Sequence, residues 1–238
     1  MGGAIVSVDG PSAAGKSRAV RRAAAVLGAV PLPEAYDRLR PRPPLSWARP
    51  AELLGIERTL LREEGRRYRE ARALAADGAL VLADTGFWGP LTYLRGLVAL
   101  GQAPPELTRT LLGEARALAA RGRWGLPDAI VLLRTPAAER ERRAAGDPEG
   151  HPVALRARHR AVGEVESGFY RRTVAPAFGP RYRSVRGTGS PSAIAARVAR
   201  AAAQLRAEVG RSPPPPLGPL LRALGVRAGR SVPSPAGP

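Results

Sequence analysis

The stretch GAIVSVDGPSAAGKSR at residues 3–18 constrains the fold more than any other part of the sequence. A short apolar run is followed by Gly10, by four further residues and then by Gly15, Lys16 and Ser17. Glycines allow successive backbone N–H groups to curl around phosphate oxygens, and a helix that starts at Lys16 directs its positive end toward them. The spacing therefore predicts a strand, a phosphate-binding loop and a helix, in that order.

This loop supplies the predicted nucleotide-binding residues. They are Gly10, Pro11, Ser12, Ala13, Ala14, Gly15, Lys16, Ser17 and Arg18. Within the motif, Lys16 is expected to bridge the β- and γ-phosphates and Ser17 to hold Mg²⁺. The predicted cofactors are therefore ATP and Mg²⁺. The alternative is a glycine-rich turn that matches the spacing by accident.

Lys16 is the only lysine in the chain, because the other 37 of the 38 basic residues are arginine. Such a skew indicates a composition bias that has replaced lysine by arginine wherever arginine is acceptable. A compact ammonium group on a thin side chain fits between phosphates, whereas a broad guanidinium group does not. The survival of a lysine at this position favours the phosphate-binding interpretation over an accidental match.

The charge of the 238-residue chain is strongly positive, with a net charge of +18 and a pI near 11.6. Such a charge ordinarily indicates a nucleic-acid or anionic-membrane partner. Arginine is spread over nearly every segment, however, and the lysine deficit argues that composition bias accounts for much of it. We therefore expect a small-molecule phosphoryl acceptor as the partner, rather than nucleic acid or a membrane. The sequence leaves a homodimer open.

Targeting and redox signals are absent from the sequence. The chain contains no cysteine, which excludes a disulfide framework and a cysteine-based metal site. The N-terminal residues enter a strand without the basic region, apolar stretch and cleavage site of a secretory signal. No segment approaches the length needed to span a bilayer. These features predict a cytoplasmic protein.

Apolar runs alternate with stretches of helical periodicity as far as residue 209. Strands are predicted at 4–8, 29–32, 79–83, 128–133 and 181–186. Helices are predicted at 17–27, 51–77, 87–100, 105–120, 136–145 and 190–209, and a further helix, which follows the loop after 145, is predicted to end at about 172. This alternation predicts one α/β domain at 1–209, with a parallel sheet covered by helices on both faces. The proline-rich residues 210–238 are predicted to form a disordered tail.

Three carboxylates follow predicted strands and are expected at the same edge of the sheet. Asp84 can reach Mg²⁺ or orient a substrate hydroxyl, and its alternative is an Asx turn that closes the strand. Glu34 can accept a proton from an attacking hydroxyl, and its alternative is a solvated loop residue. For Asp9 we favour a bracing role, through hydrogen bonds to backbone amides of the loop.

Arginines and aromatic residues supply further candidates. Two predicted helices carry Arg140, Arg142, Arg143, Arg156, Arg158 and Arg160. Mobile guanidinium groups on a lid can stabilise a phosphoryl group in transit, although in so arginine-rich a chain each one also fits a solvated helix face. Trp47, Phe87, Trp88 and Tyr93 flank the expected crevice, where they either stack on a ligand ring or pack in the core. His151 and His159 are assigned no role, because neither has metal-ligand partners at useful spacing.

Together these motifs carry a resemblance to known families. The stretch VDGPSAAGKS resembles the opening of P-loop nucleotide kinases of the cytidylate-kinase sort, and residues 3–205 are similar in layout to deoxynucleoside-kinase and nicotinamide-riboside-kinase-type families. In those families the second strand leads to a Pro-Glu pair, here Pro33-Glu34. The third strand ends in Asp-Arg-Gly, here Asp84-Thr85-Gly86. The fourth leads to an arginine-bearing lid, and the helix after the lid ends in a tyrosine, here Tyr170.

The resemblance implies a P-loop NTPase fold: a three-layer sandwich with a five-stranded parallel sheet and an arginine-bearing helical lid. One departure is Thr85, which stands where the families carry an arginine that contacts the substrate or its phosphate. Either another arginine, such as Arg95, compensates, or the substrate lacks the group that this arginine recognises.

The function that the sequence favours is an ATP-dependent kinase that phosphorylates a small nucleoside- or nucleotide-like acceptor. The expected catalytic residues are Lys16, Glu34, Asp84, Arg140 and Arg143, and the expected metal ligands are Ser17 and Asp84. The alternatives are a regulatory P-loop ATPase that acts as a nucleotide switch, and a polynucleotide kinase.

Overall fold

The strands of the protein form one sheet in the computed structural model, which describes residues 2–146 and 153–225. They are β1 (Ala4–Asp9), β2 (Val30–Leu32), β3 (Leu80–Asp84), β4 (Ala129–Arg134) and β5 (Tyr182–Arg186). All neighbouring strands pair in parallel, in the order β2-β3-β1-β4-β5. The order reverses on either side of β1, so the loop after β1 lies at the point where ligands bind in open α/β sheets.

Helices cover both faces of this sheet. They are α1 (Lys16–Leu27), α2 (Ala35–Arg38), α3 (Pro50–Ala76), α4 (Gly89–Ala99), α5 (Pro105–Ala120), α6 (Ala137–Ala145), α7 (Val153–Phe169), α8 (Ala175–Phe178), α9 (Pro191–Val209) and α10 (Leu217–Leu224). A π-helical turn, Tyr170–Val174, joins α7 to α8, and a 3₁₀ turn, Gly179–Arg181, precedes β5. None of the described helices has the length and apolar character to cross a bilayer.

Alternating strand side chains divide the core into two layers. Ile5, Val81 and Ile130 point to the layer of α3, α4 and α5. Val6 and Val131 point to the opposite layer, which α1 and α9 cover. Because β1, β3 and nearly all of β4 are buried, both faces of the central strands are apolar, as the continuous apolar runs predicted. The predicted three-layer α/β fold with a five-stranded parallel sheet is confirmed.

The predicted disordered tail is wrong for its first part. Residues 217–224 form helix α10, and the side chains of Leu220, Leu221 and Leu224 are buried in the α3–α5 layer. The chain reaches this layer from α9 on the opposite face, so the segment between the two helices passes the sheet edge. Arg181 anchors this segment, since its buried guanidinium group donates to the Val209 carbonyl at 2.9 Å and to the carbonyl of Ser212. Residues 226–238 of the predicted tail lie outside the described residues.

Helix boundaries agree with the sequence prediction to within about two residues. Ser190 caps α9 as expected, because its side chain accepts a hydrogen bond from the Ala193 N–H at 3.2 Å. The short helices α2 and α8 and the π-helical turn were not predicted. Each is five residues or fewer, so none has enough turns to produce a visible hydrophobic period.

Candidate functional site

The loop between β1 and α1 has the backbone geometry of a phosphate cradle. Gly10 and Gly15 have φ values of 145° and 93°, in the region that favours glycine. At Gly10 a Cβ atom would also lie 2.7 Å from the Leu133 carbonyl oxygen, so the loop could not pass β4 at this distance with a larger residue. The Lys16 ammonium donates to the Pro11 carbonyl at 3.2 Å and folds back over the loop. No side chain caps the N-terminus of α1, so its first N–H groups are available to an anion.

A first cavity of about 1020 Å³ opens over this loop. Its walls are residues of the loop and arginines from α1, α6 and α7, among them Arg21, Arg143 and Arg160. Of the predicted nucleotide-binding residues, the first cavity is lined by Ser12, Ala13, Gly15, Lys16, Ser17 and Arg18. Pro11 and Ala14 are buried, and Gly10 lines a neighbouring cavity instead.

This second cavity, of about 340 Å³, lies between α2, α3, α4 and α7. Of the four aromatic residues singled out in the sequence, Trp47 and Tyr93 line this cavity. The other two, Phe87 and Trp88, are core residues with at most 1% of their surface exposed. The two cavities share four lining residues: Ser12, Lys16, Glu34 and His159. Lys16 and Glu34 therefore stand where the two cavities meet, and His159, which the sequence left without a role, lines the same junction.

Glu34 directly precedes α2, and its side chain is half-buried at this junction. Burial raises the pKa of Glu34, an effect that Lys16 opposes and Asp84 reinforces. The half-buried position of Glu34 at the wall of both cavities favours the prediction of a functional carboxylate over a solvated loop residue. A carboxylate with a raised pKa, in contact with both cavities, has the properties of a general base.

Asp84 ends β3, where it is 3% exposed, and its Oδ1 atom has no hydrogen-bond partner among the described residues. A buried carboxylate oxygen without a partner is costly unless a ligand satisfies it. Mg²⁺ uses only one or two protein ligands and completes its coordination with water and phosphate oxygens. Ser17 lines the first cavity, whereas Asp84 lines neither cavity, although it is close enough to Glu34 to raise the pKa of that residue. The described residues contain no cluster of three or more His, Cys, Asp or Glu side chains that could hold a metal by itself.

Asp9 braces a different loop from the one that the sequence predicted. Its carboxylate accepts hydrogen bonds from the Gly86 N–H at 2.8 Å and the Tyr170 hydroxyl at 2.9 Å. The Ser7 hydroxyl donates to the other oxygen at 2.5 Å. Burial raises the pKa of Asp9, although these hydrogen bonds oppose the shift. Asp9 thus holds the turn after β3, which carries Asp84, instead of the phosphate-binding loop.

The turn after β3 is also held by Arg67, a fully buried residue of α3 that the sequence did not single out. Its guanidinium group donates to the Asp84 carbonyl at 2.8 Å and pairs with Glu64. Thr85 within the turn has a φ of 65°, which is strained for a β-branched residue. Arg95 does not compensate for Thr85, because it packs on the ring of Phe169 at 4.8 Å and lines neither cavity.

The two arginines predicted to act from a lid both line the first cavity. Arg143 donates to the Ala14 carbonyl at 2.7 Å and to the Gly187 carbonyl at 2.8 Å, which ties α6 to the phosphate-binding loop. Arg140 is buried and pairs with Glu164 of α7. In this conformation both guanidinium groups hold the lid helices together beside the loop.

Sequence reasoning missed three glutamates that line the second cavity: Glu57, Glu64 and Glu166. A signal for the first two exists, because they are seven residues apart in α3 and therefore share a helix face with buried leucines such as Leu53 and Leu61. Carboxylates at the apolar positions of a helix indicate that these side chains are buried and face a ligand or an ion-pair partner instead of solvent. Burial raises the pKa of Glu57 to about 8, and those of Glu64 and Glu166 to about 7.

Comparisons with known proteins identify the fold as that of P-loop nucleoside kinases, which confirms the resemblance expected from the sequence. Similar solved structures are those of a deoxyadenosine kinase from M. mycoides. The structure with bound dATP has a TM-score of 0.67 at 13% identity, and matches 82% of this chain and 97% of that chain. The structure with the products dCMP and a flexible dCDP has a TM-score of 0.57 at 11% identity, and the structure with bound dCTP has a TM-score of 0.56 at 12% identity. Both match the same shares of the two chains. No family model and no curated protein matches the sequence.

Proposed function

We propose that the protein is an ATP-dependent phosphotransferase that transfers the γ-phosphoryl group to a hydroxyl of a small molecule. The observation that carries this proposal is the junction of the two cavities at Lys16 and Glu34. A phosphoryl group must pass between a donor and an acceptor held in line. A nucleotide switch would need the first cavity alone, so the second cavity favours a kinase over the regulatory ATPase.

The nucleotide is assigned to the first cavity. Lys16 and the N–H groups at the start of α1 bind its β- and γ-phosphates. Ser17 and Asp84 would hold Mg²⁺, which when bound neutralises phosphate charge and orients the phosphates. Arg143 already lies beside the loop, and with Arg140 it would stabilise the negative charge of the phosphoryl group in transit by exchanging its present partners.

The acceptor is assigned to the second cavity, with its hydroxyl directed at Glu34. Burial raises the pKa of Glu34, which makes it a stronger base than a solvated carboxylate. Glu34 would take the hydroxyl proton as the oxygen attacks the γ-phosphorus. The π-helical turn places Tyr170 at the wall of this cavity, where its hydroxyl is held by Asp9 and by the indole N–H of Trp88.

Nucleotide binding by Lys16 is the first expectation to test. Lys16→Arg keeps the charge, but its guanidinium group does not fit the loop, so the affinity for a Mg²⁺-bound non-hydrolysable ATP analogue should fall roughly 10- to 100-fold, as for the loss of one charged hydrogen bond. Isothermal titration calorimetry on the full chain measures this change.

The matched control is Arg22→Lys in the same helix. Arg22 is exposed, donates to Ser192 at 3.0 Å and lines neither cavity, so the affinity for the analogue should not change. Wild-type affinity in Lys16→Arg would mean that the loop does not hold the nucleotide, and the proposed function would fail.

A further inference from the structure

The second cavity has the opposite charge to the rest of the molecule. The chain as a whole carries +18, yet among the described residues that line this cavity Lys16 is the one cation. The acidic residues that line it are Glu34, Asp37, Glu57, Glu64 and Glu166. In a chain whose composition favours arginine almost everywhere, an acidic lining of this kind does not follow from the bias.

Glu57 is the residue of this set that points to a ligand. It is 2% exposed, and its Oε2 atom has no hydrogen-bond partner in the described part of the chain. Glu64 differs, because it already pairs with Arg67. An unpaired buried carboxyl group costs several kcal/mol unless it is neutral or meets a donor. A molecule that fills the cavity can supply the donor that this oxygen lacks among the described residues.

We infer that the phosphoryl acceptor is a hydroxyl compound that also carries an amine, held as an ammonium ion by Glu57 and Glu166. This inference rests on the proposed function, because it names the substrate class of the same site. Trp47 shows that an aromatic wall of this cavity accepts a cation, since the Arg158 guanidinium group packs 4.2 Å from its ring centre. The cavity volume of about 340 Å³ suits a molecule of the size of an amino sugar or an amino nucleoside.

Anionic acceptors fit this cavity poorly. Thr85 lines it where the related families carry an arginine, and no arginine is among its described lining residues. The guanidinium groups nearby are already engaged: Arg67 pairs with Glu64, and Arg158 packs 4.2 Å from the ring centre of Trp47. A phosphorylated acceptor or a polynucleotide end would therefore meet carboxylates, with Lys16, which is assigned to the nucleotide, as the one cation among the described lining residues. This argues against the polynucleotide-kinase alternative.

The ionisation of the carboxyl groups agrees with this inference. Burial raises the pKa of Glu57 to about 8, so the group is mostly protonated at pH 7 while no cation is present. An ammonium ion beside it favours the charged form and lowers this pKa. The carboxyl group of Glu57 is thus mostly neutral while the cavity is empty, which limits the cost of its burial. It becomes negatively charged when an ammonium ion binds beside it.

The test compares pairs of hydroxyl compounds in which amines replace hydroxyl groups: glucosamine with glucose, streptamine with scyllo-inositol, and 3′-amino-3′-deoxythymidine with thymidine. Binding to the full chain is measured by calorimetry without nucleotide, so the result does not depend on phosphoryl transfer. At least one amine-bearing member should bind about tenfold or more tightly than its uncharged partner, as expected for one charged hydrogen bond. If none does, the inference is wrong.

Glu57→Gln tests the assigned residue, and Glu63→Gln is its matched control. Glu63 is on the same helix and similarly buried, but it pairs with Arg38 and Arg66 and lines neither cavity. Glu57→Gln should reduce the preference for the amine about tenfold while Glu63→Gln keeps it. An unchanged preference in Glu57→Gln overturns the assignment. Failure of the proposed function is recognised separately, from the affinity for the ATP analogue in Lys16→Arg.

Discussion

The carboxyl group of Glu57 is deeply buried in α3, and one of its oxygens has no hydrogen-bond partner in the part of the chain that the structure describes. Such a group stabilises the folded state only while it is protonated, because burial penalises the charged form. Burial raises its pKa from 4.5 to about 8, and Tyr93 is a neighbouring titratable group whose own pKa is raised by burial, by Glu57 and by Glu166 and lowered by Arg158. Ionisation of Glu57 should therefore contribute to the pH dependence of the free energy of unfolding.

The folded-state pKa of Glu57 lies above the unfolded value, so its contribution to stability is complete below about pH 4.5 and is lost as the pH rises to about 8. Glu57→Gln removes the ionisation. The unfolding free energy of the variant relative to wild type should increase by about 1.4 kcal/mol per pH unit between pH 5 and 7. Urea denaturation at several pH values measures this difference. A difference that stays flat over this range would show that Glu57 is not titrating there.

The positions of individual residues were predictable where a backbone motif defines them, whereas their roles stay predictions. Lys16 was singled out because its spacing and its status as the sole lysine agree, and Glu34 and Asp84 because each follows a strand of a parallel sheet. Arg67 could not be found, since its role depends on a carbonyl 17 residues away in sequence that only the packed helix reaches. Glu57 carried a signal in its helical position, but α3 is so rich in charges that this signal was hidden.

At the scale of elements, α10 is the part of the structure that departs most from expectation. The sequence predicts a disordered tail here, because an eight-residue stretch that contains Pro219 has little helical stability by itself. Packing against α4, α5 and the π-helical turn provides the missing free energy. That packing depends on Arg181, which directs the chain from the α9 layer to the other face, and a sequence pattern does not reveal such a contact.

Helix α10 is therefore expected to contribute to stability. Leu220→Ala and Leu224→Ala, which remove fully buried side chains, should each lower the free energy of unfolding by about 2–5 kcal/mol. Arg222→Ala, on the exposed face of the same helix, should change it by no more than about 0.5 kcal/mol. Chemical denaturation of the three variants measures these effects. Equal midpoints for all three would show that α10 does not belong to the core.

At the scale of the whole molecule, the sequence predicted the α/β fold because each central strand is a continuous apolar run and the strands alternate with helices. The phosphate-binding loop could be located because Gly10, Gly15, Lys16 and Ser17 follow the first apolar run at the required spacing. The difference in charge between the two cavities could not be predicted, because it depends on which residues of elements distant in sequence line the same cavity. Arginines of α1, α6 and α7 surround the first cavity, whereas carboxyl groups of α3 and α7 line the second. A net charge of +18 therefore says little about the acceptor.

The transfer of label from [γ-³²P]ATP tests the central proposal most directly. Wild-type protein with the amine-bearing compounds should form a labelled organic phosphate, and Lys16→Arg should form almost none. Glu34→Gln should form this product roughly 10²–10⁴ times more slowly, as for the loss of a general base, while slow release of inorganic phosphate continues. The contrary result is a wild-type protein that binds the ATP analogue and releases only inorganic phosphate with every acceptor, amine-bearing or uncharged, at a rate that Glu34→Gln leaves unchanged. That result would identify a regulatory ATPase instead of a kinase.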